Sequence, residues 1–593
     1  MKIKPLVYLF LLLFISSIQA QRQYVLETIE DSFGYNQIPQ EKMFIHYNTT
    51  LLFAGEYLYY RLYCLNIENN HLSDISKIGY VELIGENGKA VFKHKIKLEN
   101  GSGQGDFFLP VSVPSGNYKL IGYTQWMLNA ESNLFFQGDI TILNPYQGDQ
   151  KAILSNNSLE SSINGNINPI KSQIIKSKVS AGITLALNKE VVKKRSPVVL
   201  TIDKHESINQ SGDYSISVSK KNSYVSAKAI STVDFSILNS KNIKNKMKSV
   251  NSSIFLPEMR GELMYGKVIP KEPTFPVSSV QIAMSIPGKT NDIKIVSTND
   301  KGNFMINLNK TYSEDEFVFQ VLGENRNDYR IELSEIPEVD YPNFDFYKFK
   351  LTQELKDHII DRSVHNQIDN SFFTVKPDTI QDSGNYLPFY GNHYTTYSLD
   401  EYTRFATVRE TIVEIVDDVW MTKDAGGDKV FAVRGYYPTQ EDYGYKPLVI
   451  IDGIVEQEHE DFMEYDARKI KKISLVRDRY FLGTKIFEGV LIFETIEGNY
   501  SENLNKAYLL KTELLRPLAH KNYYKQQYGQ EINDYDRIPD FRSQLLWEPS
   551  VTLSDTKTIK FFTSDVAGDY EISLEGFTND GVPVSLKKQF KVE

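Results

Sequence analysis

The chain has 593 residues, 24% of them charged and 41% hydrophobic, with a formal net charge of −10. That acidic balance argues against nucleic acid or an anionic lipid surface as partner, since both would repel it. The length predicts about four to six domains, and the single cysteine, Cys64, excludes an internal disulfide, so stability must come from ordinary cores.

Residues 1–20 read as a secretory signal. Lys2 and Lys4 precede the apolar run 6–15, and Ser16, Ser17 and Ala20 offer a small-residue cleavage site. No Cys follows that site for lipid attachment. No other segment reaches ~18 consecutive apolar residues, which predicts an exported chain with no direct membrane span.

Residues 21–148 are almost wholly of strand type. Val81 and Leu83 flank Glu82, Ile96 and Leu98 alternate with lysines, and the turns Asn87-Gly88, Asn100-Gly101 and Ser115-Gly116 punctuate them. Such spacing implies a β-sandwich. Cys64, inside the run YLYYRLYCLN, reads as a small buried hydrophobe. The motifs AGEYLYYRLY, SKIGYVELI, GSGQGDFFLP and PSGNYKLIGYTQWM resemble the second macroglobulin domain of the α2-macroglobulin family.

The Ser- and Asn-rich stretch 149–178 reads as a linker. Residues 179–255, with strand patterns at 183–187, 198–202 and 214–219, resemble a second macroglobulin-like sandwich, and the basic, polar stretch 240–253 reads as a surface loop. Residues 256–335, with GELMYGKVI, SSVQIAMS and the hairpin TNDKGNF, resemble the carboxypeptidase regulatory-like fold, a structural module without peptidase activity. Residues 336–400 form a helical connector in which Leu351, Leu355, Ile359 and Ile368 share one face, followed by a helix over 399–416. A polar linker is expected over 501–540 and a C-terminal Ig-like sandwich over 541–593.

Residues 401–500 hold the most specific pattern. An apolar run, 447–451, enters a structural turn at Asp452-Gly453; an acidic helical segment follows, then strands at 470–476 and 489–495 around a Gly483 turn. The order PLVIIDG, IKKISLVRD, GVLIFET resembles the plug domain of TonB-dependent outer-membrane receptors. A receptor of that kind follows its plug with about twenty-two membrane strands of ~10 residues; fewer than a hundred residues follow here, so the expectation is a plug without a barrel. The resemblance implies a mainly β chain, tandem Ig-like or macroglobulin-like sandwiches plus a small α+β plug-like domain, similar to a group of exported Bacteroidota envelope proteins.

Catalytic and cofactor motifs do not assemble. The Cys-Gly-Glu-Gln thioester motif of macroglobulins is absent, as is the Gly-x-Ser-x-Gly elbow. Residues 283–290 fit a permissive Walker A pattern ending in Lys289, but strand rather than helix follows, so a hairpin is expected and nucleotide is not. Gly101, Gly103 and Gly105 suggest a tight β-turn. His358 and His365 stand ~10 Å apart along a helix, too far to share an ion; Asp357, Asp361 and Asp369 accompany them as a solvated face. His459-Glu460-Asp461 lacks the zincin partner. Calcium in an acidic turn, at Asp300 or Asp565, stays open as an alternative.

These readings give a non-catalytic envelope protein with no cofactor, in the periplasm or at the cell surface. The expectation is an accessory or scaffold subunit of an outer-membrane β-barrel complex in transport, protein export or barrel assembly. The alternative is a secreted or surface adhesin-like protein binding glycan or protein, for which abundant tyrosines are suited. Lys469, Lys471, Lys472, Arg477 and Arg479 cluster around one plug strand and form the candidate docking face.

Overall fold

The computed structural model describes residues 24–593 except 131–133, 155–181, 205–210, 222–225, 240–248, 289–291, 311, 313, 335–338, 340–343, 382–387, 437–443, 530–536 and 554. The signal region, most of the 149–178 linker and of the 240–253 loop, and Lys289 lie outside the described residues. Strands dominate, gathered in small sheets that form tandem β-sandwiches. The described chain divides into a larger unit, Tyr24–Arg260, Val339–Asp382 and Pro517–Glu593, and a smaller one, Gly261–Glu338 with Ser383–Arg516.

In the larger unit, Glu41–Tyr47, Tyr57–Asn66 and Ser102–Phe108 pair into a three-stranded antiparallel sheet. It packs on a five-stranded sheet ordered Leu51–Phe53, Phe136–Leu143, Gly116–Tyr123, Ile78–Gly85, Ala90–Lys97, with Phe44 meeting Phe136 edge-on at 5.7 Å. Gly103 and Gly105 are not in a turn. They lie mid-strand, where an added Cβ would fall 2.6 Å from Ile96 and 2.5 Å from Tyr60, so the missing side chains make room for their neighbours.

Every residue of Glu41–Tyr47 is buried. Both faces of its sheet are therefore covered, the outer one by a second sandwich. Tyr63 donates to Ser215 Oγ at 3.0 Å, and Arg61 pairs with Asp213 across that contact.

This second sandwich corrects the expected domain boundaries. Residues 179–255 and 541–593 do not form separate sandwiches; they interleave in one. Ile183–Leu187, Pro197–Lys204 and Lys557–Phe562 make one sheet, and Val191–Val192, Pro583–Val592, Gly568–Thr578, Gly212–Lys220 and Gln544–Leu553 make the other. Val198, Leu200, Tyr214, Ile216, Tyr570, Ile572 and Leu574 share its core. Neither sequence half has enough strands to cover an apolar face and protect its edges, and together they do.

The connector helix runs Lys356–Ser371, shorter than its apolar pattern. Leu351 and Leu355 precede it, yet with Ile359 they pack against Leu51, Phe53 and Leu143 of the first sandwich. The 501–540 stretch is likewise not a free linker: Leu509–Glu513 joins a sheet in the smaller unit, and Lys521–Asn522 pairs with Thr379–Ile380 in the larger.

In the smaller unit, Glu262–Pro270, Asn303–Leu308 and Tyr329–Leu333 face Asp292–Ser297, Gln281–Ile286, Glu316–Leu322 and Leu509–Glu513. The seventh strand is thus supplied from far along the chain. The TNDKGNF segment is a turn joining strands of opposite sheets rather than a hairpin within one, and Asn299 Oδ1 closes it by accepting from Lys301 and Asn303 N–H at 3.0 and 2.9 Å.

The mixed sheet of the same unit runs Thr395–Ser398, Ile470–Leu482, Lys485–Thr495, Leu448–Ile451, Ile454–Glu456. Only Val408–Ile415 and a short turn at Leu399–Glu401 are helical within the helix expected over 399–416. Along its central strands the residues sort with period two. Val449, Ile451, Leu491 and Phe493 face the helices Val408–Ile415 and His459–Met463, while Leu448, Ile450, Val490 and Ile492 pack on Ala283, Ile293 and Ile295 of the sandwich. Continuous apolar runs are what a sheet buried on both faces requires.

Candidate functional site

The tyrosine-rich strand Tyr57–Asn66 alternates from its first residue: Leu58 and Tyr60 are buried, Tyr57 and Tyr59 half-buried. The Tyr57 and Tyr59 rings lie within 12° of parallel at 5.6 Å. Phe373 continues the row beyond Tyr57 at 6.3 Å and Trp547 beyond Tyr59 at 6.1 Å. Tyr523 meets Tyr59 edge-on at 5.0 Å. These rings line a cleft of about 670 Å³ within the larger unit, to which both sandwiches and the connector helix contribute, a size in the range of small-ligand sites.

Most charges in its wall are committed. Arg362 on Lys356–Ser371 holds Glu56 with two hydrogen bonds, of 2.7 and 2.8 Å. Lys376 binds Asp369 at 2.5 Å and Lys587 binds Glu571 at 2.6 Å. Lys220, at the end of Gly212–Lys220, is half-buried and its ammonium has no hydrogen bond or ion pair among the described residues. Burial lowers its pKa, assisted by the Arg362 charge. Asp378 accepts the Tyr524 N–H at 2.9 Å, and burial raises its pKa. Burial, with Asp106 and Asp378 nearby, pushes Tyr57 up to about 12.

Behind the cleft sits a Ser–His pair, His46 Nδ1 and Ser215 Oγ at 2.6 Å. Ser215 is fully buried, and burial holds His46 neutral with its pKa pushed down to about 3. A hydroxyl sealed in this way cannot meet a substrate, so the pair is a core contact and not a nucleophile with its base.

Glu575 is buried in the same wall. It accepts from Thr232 N–H and Oγ1 at 2.9 and 2.8 Å and from Ser585 Oγ at 2.7 Å. Burial pushes its pKa up to about 7, against these hydrogen bonds and the Lys587 charge. A folded pKa above the ordinary value means the folded state binds the proton more tightly. Stability from this group is therefore full at acid pH and is lost as pH rises through about 7, by up to ~3 kcal/mol. Glu575→Gln should flatten the wild-type decline in urea midpoint between about pH 5 and 8; identical slopes for the two proteins would contradict this.

The remaining sequence candidates fall elsewhere. Asp452 and Gly453 form the two-residue loop between Leu448–Ile451 and Ile454–Glu456, with φ of 47° and 85°, and Asp452 also accepts from Thr495 N–H at 2.7 Å and Tyr500 N–H at 3.1 Å. The five basic residues are not a uniformly free face. Lys472 pairs with Glu494 at 2.5 Å, Arg477 with Asp418 at 2.7 Å and Arg479 with Glu488 at 3.0 Å. Lys469 and Lys471 are exposed, Lys469 lying 5.9 Å from the Tyr465 ring.

His365 stacks on Phe541 at 4.4 Å, and His459 is buried beside Phe431. Asp300 accepts from Ser278 at 2.7 Å, and Asp565 is held by Arg195 at 2.5 Å. Among the described residues no group of three His, Cys, Asp or Glu is placed to hold a metal ion, and no helix is long and apolar enough to cross a membrane. Sequence reasoning passed over Trp547, Lys220 and Arg362. The abundance of tyrosine was the one local signal, and it did not distinguish Tyr57 and Tyr59 from the buried Tyr60.

No family model matches the chain, and no curated protein matches it. Among solved structures, elastase-activated Escherichia coli α2-macroglobulin matches at 8% identity over 93% of this chain and 44% of that chain, with a TM-score of 0.23. Methylamine-reacted Salmonella α2-macroglobulin matches at 8% over 97% and 40%, also at 0.23. The Escherichia coli adhesin FdeC matches at 14% over 32% and 50%, at 0.14. The chain thus spans less than half the length of these macroglobulin structures, and TM-scores of 0.23 and 0.14 assign neither family nor function.

Proposed function

We propose that this is a non-catalytic, exported protein of the cell envelope that binds a ligand in the cleft of its larger unit and serves as an accessory subunit beside an outer-membrane β-barrel. The cleft carries the reading: about 670 Å³, walled by aromatic rings and by charges most of which are held in ion pairs, with its neighbouring Ser–His pair buried out of reach. The signal-like N-terminus supports export, and the plug-like pattern of residues 401–500 supports a barrel partner.

Crosslinking in intact cells followed by co-purification tests the subunit role. Recurrent recovery of one β-barrel is the expected result, and its absence overturns it. The exposed Lys469 and Lys471 offer the docking charge that is not ion-paired, so Lys469→Glu with Lys471→Glu should lower that recovery while the melting curve stays close to wild type. Unchanged recovery removes this face as the docking surface. The aromatic cleft favours a second reading, a surface adhesin recognising glycan or protein, which predicts ligand binding with no barrel recovered.

A further inference from the structure

We propose that the cleft of the larger unit takes a carboxylated oligosaccharide, with Tyr57, Tyr59 and Phe373 set against the sugar rings and Lys220 receiving the carboxylate. This rests on the reading of the cleft as a ligand site and specifies what enters it.

Sugars present two kinds of surface, apolar ring faces and a dense fringe of hydroxyls, and the wall supplies a counterpart for each. The ring row is accessible where it is needed: Phe373 is 52% exposed, and Tyr57 and Tyr59 are half-buried on one strand face. Rigid aromatics bury area at low entropy cost. The Tyr57 and Tyr59 hydroxyls have no hydrogen-bond partner among the described residues, and the Ser219 hydroxyl and the Asn366 side-chain carbonyl also line the cleft, whereas the Asn48 and Gln544 amides are already bonded to one another and to Tyr57, Tyr59, Ser217 and Leu546. The Trp547 indole N–H also finds no acceptor there, although the residue is only 4% exposed.

The acidic character follows from the charges. Arg362, Lys376 and Lys587 each have a carboxylate at ion-pair distance. Lys220 does not, and Asp361 attracts it only from farther away, while Arg362 stands near as a second cation. A half-buried ammonium without an anion is costly in the free protein, and a ligand carboxylate arriving there would remove that cost. Ring faces and two cations without an ion pair among the described residues, the half-buried Lys220 and the exposed Lys221, outweigh the single Asp378 carboxylate of the wall and together fit a uronate-type sugar better than a neutral one.

An acidic peptide is the competing occupant, because Gln544–Leu553 ends its sheet with no further strand paired to it among the described residues. Calorimetry on the full chain separates the two, with trigalacturonate, neutral galactotriose and triglutamate as probes. Trigalacturonate should bind saturably and galactotriose more weakly. Lys220→Met should weaken trigalacturonate at least about tenfold without lowering the melting temperature, and Lys220→Arg should keep most of the affinity. Tyr59→Ala should weaken both sugars; Tyr57→Ala serves in its place if that variant does not fold.

Triglutamate binding as tightly as trigalacturonate would overturn the sugar assignment while leaving the cleft a ligand site. So would trigalacturonate affinity unchanged by Lys220→Met. No saturable trigalacturonate binding also removes the sugar, and recovery of a barrel by crosslinking would then still stand on its own.

Discussion

Replacing Arg542 by Met should destabilise the larger unit by about 3–5 kcal/mol. The Arg542 side chain is 10% exposed and that of its partner, Asp540, 2%. Two hydrogen bonds of 2.7 Å join them, and Arg542 also donates to the Leu545 carbonyl at 3.1 Å. Burial alone would raise the Asp540 pKa, yet the Arg542 charge and its hydrogen bonds, with the Tyr528 hydroxyl, hold it below the ordinary value. Without the guanidinium the carboxylate stays buried and uncompensated, and that penalty dominates the lost contacts.

The pair as a whole is worth much less than its breakage costs. Adding Asp540→Leu to Arg542→Met should therefore recover more than half of the lost stability. Urea denaturation of the full chain reads both effects. A single-mutant loss below about 1 kcal/mol, or no recovery in the double mutant, would show that the site is wetter than its burial implies.

Gly483→Ala should cost the smaller unit about 2–4 kcal/mol. Gly483 turns the hairpin between Ile470–Leu482 and Lys485–Thr495 at φ +58°, and an added Cβ would stand 2.0 Å from the Ile295 carbonyl oxygen. That oxygen is backbone in a paired strand and cannot swing aside. The hairpin tip would have to lift, giving up the Thr484 contacts to Gln281 and Ser297 at 3.2 and 3.3 Å and the packing of Tyr480, Leu482 and Phe487 on the sandwich.

Gly498 provides the internal control. It has φ +66° with nothing within 4 Å of its added Cβ, so Gly498→Ala pays the backbone term of about 1 kcal/mol alone. Melting both variants isolates the contact from the conformation. Equal losses would mean that the hairpin tip does not rest on Ile295.

Local chemistry determined much of the smaller unit. The apolar run 447–451, the Asp452-Gly453 loop and the strands around Gly483 are visible in sequence because turn residues and side-chain period act over a few positions. The tyrosine-rich character of the strand Tyr57–Asn66 was visible too, but not which of its rings face the cleft, since Tyr60 is buried and Tyr57 and Tyr59 are not. What covers those elements was not. The candidate basic face included Arg477 and Arg479 without their neutralising partners, Asp418 and Glu488, because folding brings those carboxylates to them. The second sandwich looked like two domains because its sheets pair Gly212–Lys220 with strands that begin more than three hundred residues later. The cleft depends on that pairing, since Lys220 and Trp547 share a wall only after it forms. Periodicity shows which face of a strand is apolar; long-range pairing decides what that face meets, and here only the tertiary structure specified it.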